Sequence, residues 1–338
     1  MECQTMKMPV KTSIVALVAS LGLPFVAIAE VPKSVELNSA QWAAADDAQD
    51  GASFTLAQAD PGDGEVATRS EVESSRSGGG SESPIFFSLD YGIYSDYIWR
   101  FVNLSEYASE GREDLNHQLG IAVGGDLGDF GTITFGSWIE WYAGQDQLDA
   151  EEGGQNAQEI DYTFDWTYTI EAISTDVSWG LIFYTFPNNK AINSLEWYVA
   201  LAHNDAWMWQ GLFPDNEDGV LNPTFTLYHD IDAVGGVWME FALSHEFEIF
   251  ENFTLTPGWM VAIDAGHWEE EHFKFAGDQW SLVAAYDLFN ALQVPEQYGS
   301  MSVAAEIYWN NPWGTLEDNG IADDTFWGGV SLSYSWGS

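Results

Sequence analysis

The sequence predicts an all-β protein: a transmembrane, antiparallel, up-and-down β-barrel of about 12 strands, preceded by a signal peptide and a disordered linker. Three observations predict it. From Glu159 to Ile170, every second residue is aromatic or Ile and those between are polar, which is the period of a strand with one oily and one wet face. That stretch reaches the ~10 residues a tilted strand needs to cross a bilayer, where soluble strands are usually nearer five or six. The same alternation recurs from Pro84 to the end of the chain, and in each repeat the apolar parity is free of charge.

Taken in order, the chain begins with Lys7 and Lys11 ahead of an apolar run from Ile14 to Ala29 that closes on Ala27-Ile28-Ala29. A basic start, a short apolar core and a small-x-small end make residues 1–29 a secretory signal peptide cut after Ala29; the run is short for a spanning helix and contains Pro24. The one cysteine, Cys3, falls inside it, so the mature chain is expected to use neither disulfides nor thiolate-held metal. Residues 30–83 are poor in large apolar side chains and end in the Gly- and Ser-rich stretch Ser74–Ser83, the composition of a flexible periplasmic linker. Residues 84–338 form the barrel. With 53 acidic against 9 basic residues the formal charge is −44, which excludes nucleic acid as a partner and favours cations.

In the first strand, Ile85, Phe87, Leu89, Tyr91, Ile93, Tyr97 and Trp99 make the outward row, with Asp90, Tyr94, Asp96 and Arg100 opposite. The second puts Leu115, Leu119, Ile121 and Val123 outward; the third sets Ile133, Phe135, Ile139 and Trp141 against Trp138 and Glu140. The fourth turns Asp161 and Asp165 inward, the fifth shows Val177, Trp179, Leu181 and Phe183 outward, and the sixth sets Leu195, Trp197, Val199 and Leu201 against Glu196 and Tyr198. In the seventh, Phe225, Leu227 and Ile231 oppose Tyr228, Asp230 and Asp232; in the eighth, Val237, Met239, Phe241 and Leu243 oppose Trp238, Glu240 and Glu246. The ninth turns Asp264 inward, the tenth carries Trp280, Leu282, Ala284 and Tyr286 outward, and the eleventh turns Glu306 and Tyr308 inward. The twelfth shows Phe326, Val330, Leu332, Tyr334 and Trp336 outward.

By this count no Asp, Glu, Lys or Arg stands on the outer parity. A soluble sandwich exposes its polar face, whereas a barrel in lipid must show an apolar one, because a basic residue at the midplane costs roughly 2–4 kcal/mol. Tyr97, Trp99, Trp141, Trp309 and Trp336 suit interfacial girdles. Short connections at Gly128–Gly131, around Asp176 and at Glu248–Asn252 alternate with long polar ones, as periplasmic turns alternate with outer loops. His203–Asn222 departs from this, being long on the periplasmic side, and is expected to extend the sixth strand or to lie at the interface.

The run Tyr94-Ser95-Asp96-Tyr97-Ile98-Trp99-Arg100, with Tyr228–Asp232, Leu243-Ser244-His245 and the ending Trp327–Leu332, resembles a family of uncharacterised bacterial outer-membrane β-barrels named as porins. Those sequences usually place Gly after the Tyr-x-Trp-Arg run, where this chain has Phe101. The resemblance implies a bacterial outer-membrane location and a porin-like function.

The inward parity carries Asp90, Asp96, Glu140, Asp161, Asp165, Glu196, Asp230, Asp232, Glu240, Glu246, Asp264 and Glu306, with Arg100 its one basic residue. Carboxylates enclosed in that number have to be hydrated, protonated or compensated by cations, and around a water path they make it cation-preferring. Tyr94, Trp138, Tyr198, Tyr228, Trp238 and Tyr308 also point inward, either as stacking platforms for small sugars or as packing that fills the lumen. The expected function is a small cation-preferring diffusion channel. The alternative is a non-conducting surface or anchor protein with acidic cation-binding loops, for which His267, Glu269 and His272 are weak metal candidates. A lipid hydrolase using one of His117, His203, His229 or His245 is the remote third, since no nucleophile motif accompanies them. No enzyme activity and no cofactor are expected. The expected partners are outer-membrane lipids, small cations or small polar solutes, and the barrel-assembly machinery.

Overall fold

A computed structural model describes residues 85–104, 115–142, 159–187, 193–213, 219–268 and 273–337. The expected signal peptide, linker and acidic loop residues Asp146–Glu152 lie outside the described residues. Twelve strands make the wall: β1 (Ile85–Tyr94), β2 (Asn116–Asp126), β3 (Thr132–Tyr142), β4 (Glu159–Ile170), β5 (Thr175–Thr185) and β6 (Ser194–His203), followed by β7 (Thr224–Asp230), β8 (Val237–Ser244), β9 (Phe253–Ala265), β10 (Phe273–Asp287), β11 (Ser300–Pro312) and β12 (Thr325–Trp336). Each pairs antiparallel with the next, β8 continues past a break at 245–246 as Phe247–Phe250, and β12 returns to β1 with Trp336 opposite Phe87. The sheet therefore closes on itself. Closure matters because lipid supplies no partner for a backbone N–H or C=O, so an open edge is not tolerated there.

The alternating pattern dictates which way each side chain faces. Across β3, β4 and β5 the pairs Phe135↔Phe164 and Phe164↔Leu181 stack apolar on apolar, while Thr134↔Asp165 and Asp165↔Gly180 stack small on polar. The apolar rows are exposed: Phe135 at 53%, Trp280 at 51%, Val330 at 53%. In water so large an apolar exterior would be an aggregation surface; around a closed sheet with a polar lining it is the lipid-facing belt of an outer-membrane barrel. No described helix is long and apolar enough to cross a membrane, and the crossing is made by strands. Inside, glycines let rings lie flat on the wall. The Tyr198 ring sits where a Cβ on Gly180 would fall 2.3 Å from it, and the Tyr94 ring lies against Gly92 and Gly329 in the same way.

Four expectations need correction. The first strand ends at Tyr94, so Tyr97 and Trp99, read as lipid-facing girdle residues, are instead buried inside the barrel at 2% and 1% exposure. Ten residues already cross the bilayer, and the chain then folds back into the lumen. Asp176 and Glu248 lie within strands; the short inner turns are 3-10 turns at Gly128–Phe130 and Glu171–Ile173 and a tight reversal at 251–252, while the inner connection from Asp287 to Ser300 is longer and holds a helical turn at Leu288–Ala291. One acid does stand on the outer parity: Asp278, paired with outward Val261. It is accommodated because the indole N–H groups of Trp259 and Trp280 and the amide of Asn311 all donate to it. Finally, the sixth strand ends at His203 and is not extended: among the described residues that follow is a short helix, Ala206–Trp209, here α1.

Candidate functional site

After β1 the chain makes a hairpin of two short rungs, Ile98–Trp99 pairing with Val102–Asn103. Its two-residue turn is Arg100-Phe101, both left-handed, with φ of 45° and 73°. Two-residue hairpin turns of this hand match strand twist but normally recruit Asn-Gly, because a side chain in the left-handed region costs roughly 1–2 kcal/mol. Here the cost is carried by what the two side chains reach.

Arg100 donates to Glu196 Oε1 on β6 at 2.7 Å, with both side chains almost fully buried. Its guanidinium lies over the rings of Trp99, Tyr228 and Trp238, 4.8 to 5.6 Å from their centres. Its other arm faces His267, 3.0 Å from Nδ1. Burial first, and then the Arg100 charge, hold the His267 imidazole well below its ordinary pKa, so it meets the guanidinium as a neutral acceptor. Phe101 packs on Trp238 of β8 and approaches Gly277 of β10. Tyr97 packs on Trp138 of β3 and donates to Glu159 of β4 at 3.0 Å; Ile98 packs among Tyr94, Tyr308 and Trp327. The hairpin thus bridges β3 and β4, β6 to β8, and β10 to β12 across the outer half of the lumen. Leu316 and Ala322 of the β11–β12 loop join the same cluster.

The structure brings together only some of the predicted acids. Glu140, Asp161 and Glu196 gather beside the hairpin, joined by Glu159, which sequence reasoning missed. Asn116 donates to Glu140 and Tyr184 to Glu196, but Glu159 Oε1 and Asp161 Oδ1 are buried with no donor from another residue, the two carboxyl groups facing each other. A donor of positive charge or a proton is what such a pair lacks. Others serve the frame. Asp96 accepts from Asn103 within the hairpin; Asp230 accepts from Ser194 and from the N–H groups of Asp232, Val234 and Gly235, tying the β7–β8 turn; Asp264 accepts from the N–H groups of His267 and Trp268. Glu240 accepts from the Trp238 indole, Asp165 from Tyr198 and Thr167, and Glu306 from Tyr94, Tyr308 and Ser331. Asp90 faces the lumen and is exposed. Asp232 sits in an exposed outer turn and Glu246 at the exposed break in β8, so neither is on the wall.

All six predicted lumen aromatics turn inward, and each is engaged. Trp138, Tyr228 and Trp238 pack on the hairpin, Tyr94 and Tyr198 lie over glycines, and Tyr308 stacks on Trp327 at 4.1 Å. The inner half of the lumen differs. Its inward rows carry side chains such as Ser88, Thr134, Ser178, Thr226, Ser281 and Ser333. Sequence alternation found these rows but not the hairpin; the usable signal was length, since Ile85–Trp99 is longer than one crossing needs. Of the metal candidates, His267 faces Arg100, while Glu269 and His272 lie outside the described residues. Among the described residues no group of three metal-ligating side chains converges. The four outer-parity histidines are in aromatic or polar contacts: His117 with Tyr91 and Trp141, His203 with Thr175, His229 with Trp197, and His245 with Phe247.

No protein-family model matches the chain, and no curated protein sequence does. Among solved structures it is similar to an outer-membrane channel from Pseudomonas putida F1, at 8% identity and a TM-score of 0.43, covering 76% of this chain and 97% of that one. It is also similar to the KdgM porin, at 10% identity and 0.37, covering 73% and 98%. Outer membrane phospholipase A from Escherichia coli gives 12% identity and 0.35, covering 74% and 95%. At such scores the fold rests on the closed sheet itself.

Proposed function

We propose that this outer-membrane barrel is a low-conductance diffusion channel preferring small cations, constricted in its outer half by the Arg100 hairpin and opened when the hairpin withdraws. The observation that carries this reading is the imbalance around the hairpin. Glu140, Glu159, Asp161 and Glu196 gather beside the hairpin, Arg100 pairs with Glu196 alone among them, and Glu159 Oε1 and Asp161 Oδ1 are buried with no donor. Such a ring attracts cations and repels anions once water reaches it. The unfavourable turn at 100–101 supports a movable element, because backbone strain tends to collect at switch regions.

The test is conductance and reversal potential of the purified, folded protein in planar bilayers under a salt gradient, beside Arg100→Ala. Discrete steps with a cation-selective potential, larger or more frequent in Arg100→Ala, are expected. Silence from both proteins would reject the channel reading. That outcome would favour the second reading, a non-conducting surface or anchor protein, which the dense packing of the hairpin supports.

A further inference from the structure

The wall of the barrel is uneven in height. From Leu195 to His203 the outward row of β6 rises about 26 Å along the strand at ~3.3 Å per residue; at the usual tilt that is roughly 20 Å along the membrane normal, short of the ~25 Å apolar band. Its neighbour β7 has only seven residues, whereas β9, β10 and β11 have 13, 15 and 13. For β7 the shortfall is at the inner end, whereas β6 reaches there as far as the first residue of β5, His203 standing opposite Thr175. There β8 runs on as Phe247–Phe250 along β9, but β7 has already begun at Thr224, opposite Ala242.

The β6–β7 loop fills that place. The N–H of His203 donates to Pro223 O and that of Ser244 to Leu221 O, so the loop joins the wall on both sides. Asp205, 2% exposed, closes it. Its carboxylate accepts from the N–H groups of Val220, Leu221 and Asn222 and from the Trp209 indole. Among its described residues, Trp207, Met208, Leu212 and Phe213 make an apolar patch, 62%, 60%, 72% and 49% exposed. The Trp207 indole donates to Nε2 of His203, the last residue of the outward row, so the patch continues the lipid-facing surface and does not point into the lumen.

We infer that this loop is a membrane-embedded foot, with Trp207, Met208, Leu212 and Phe213 inserted into the periplasmic leaflet and phospholipid as their occupant. Short apolar helices with Trp at the headgroup boundary bury their apolar face there, and the foot supplies the lipid-facing height that β7 lacks. This inference does not depend on whether the lumen conducts.

The test uses the full chain with Cys3→Ser and a single environment-sensitive fluorophore on Leu212→Cys. The protein is folded into vesicles of phosphatidylethanolamine and phosphatidylglycerol, with and without a nitroxide lipid. Two reference sites accompany it: Leu181→Cys in the lipid-facing row of β5 and Asp324→Cys, exposed in an outer loop. Position 212 is expected to emit to the blue of position 324 and to lose at least about half its intensity to the nitroxide lipid, as position 181 does. If 181 is quenched and 212 behaves like 324, the foot is in water, available to a periplasmic protein instead, and the inference fails. If 181 is also unquenched, the chain does not contact lipid, and the membrane reading falls with it.

Discussion

The two halves of the lumen solve the same problem, a polar interior, in opposite ways. In the inner half the inward rows are short hydroxyls and glycines that need no partner beyond water or a cross-strand neighbour, as Thr167 with Ser178 and Ser300 with Ser335. In the outer half they are large rings and carboxylates closed over by a hairpin, where Glu140, Glu196 and Arg100 each depend on a named neighbour and Glu159 and Asp161 are under-supplied with donors. The difference teaches that polarity of the lining does not decide whether a barrel is open. Side-chain size and the presence of an infolded segment do, and twelve strands leave little room for both.

Removing the hinge of the crowded half should have the largest effect. Arg100→Ala leaves Glu196 buried with its countercharge gone, a class of change that costs about 3–5 kcal/mol. The expected result is a marked drop in the urea midpoint of the folded barrel, together with larger or more frequent conductance steps. A midpoint like wild type would mean the hairpin is not part of the folded core. Arg100→Lys keeps the charge but not the planar stack on Trp99, Tyr228 and Trp238, and is expected to fall between.

Next in size is a change where the crowded half meets the smooth wall. A Cβ on Gly180 would land 2.3 Å from the Tyr198 ring, which in turn donates to Asp165. Gly180→Ala is expected to cost about 1–3 kcal/mol by displacing that ring. The double variant with Tyr198→Ala should recover part of the loss, and a simple sum of the two costs would show that ring and glycine do not touch.

The strands were legible because a bilayer imposes a strict period on them. Glu159–Ile170 could be read residue by residue, and so could the outward rows of β5, β6 and β12, since lipid on one side and water on the other admit few exceptions. Asp278 shows how an exception is made: its three donors come from β9, from its own strand and from β11, and no local pattern announces them. The hairpin was not legible for a related reason. Tyr97 and Trp99 continue the alternation of β1, and an alternating pair looks the same whether its apolar side meets lipid or a packed lumen. Similarly, the carboxylates were found as a set, but which of them hold turns, as Asp230 and Asp264 do, and which crowd together depends on loop backbone that the sequence pattern does not describe.

Asp205 tests the contrast from the inner rim. Like Glu159 and Asp161 it is buried, yet it is fully supplied with donors. Burial alone would raise its pKa, but the N–H groups of Val220, Leu221 and Asn222 and the Trp209 indole outweigh that and hold it below the ordinary carboxylate value. A depressed folded pKa means the carboxylate contributes stability that is complete above the unfolded value, near ~4, and is lost as pH falls through the lower folded value. Residues 204–213 and 219–222 are therefore expected to stay protected from proteolysis at neutral pH and to become cleavable only on strong acidification. Asp205→Ala should expose them at all pH values, at a cost of about 1–3 kcal/mol for the orphaned donors. Protection that disappears already well above pH ~4 would place the Asp205 pKa above the ordinary carboxylate value.

The smallest effect is expected in the open half, and it separates stability from conduction. Asp90 faces the lumen from the middle of β1 and is exposed there. Replacing an exposed charge with its neutral isostere usually changes stability by no more than about 0.5 kcal/mol, so Asp90→Asn should unfold with wild type. Along a water path, however, each carboxylate adds to the preference for cations, and the reversal potential under a salt gradient should move toward zero. An unchanged reversal potential would confine ion selection to the outer half and make the hairpin ring its sole determinant. A large loss of stability would mean that the contact of Asp90 with Ser333 opposite it is needed by the fold, and the inner half would then obey the same rule as the outer.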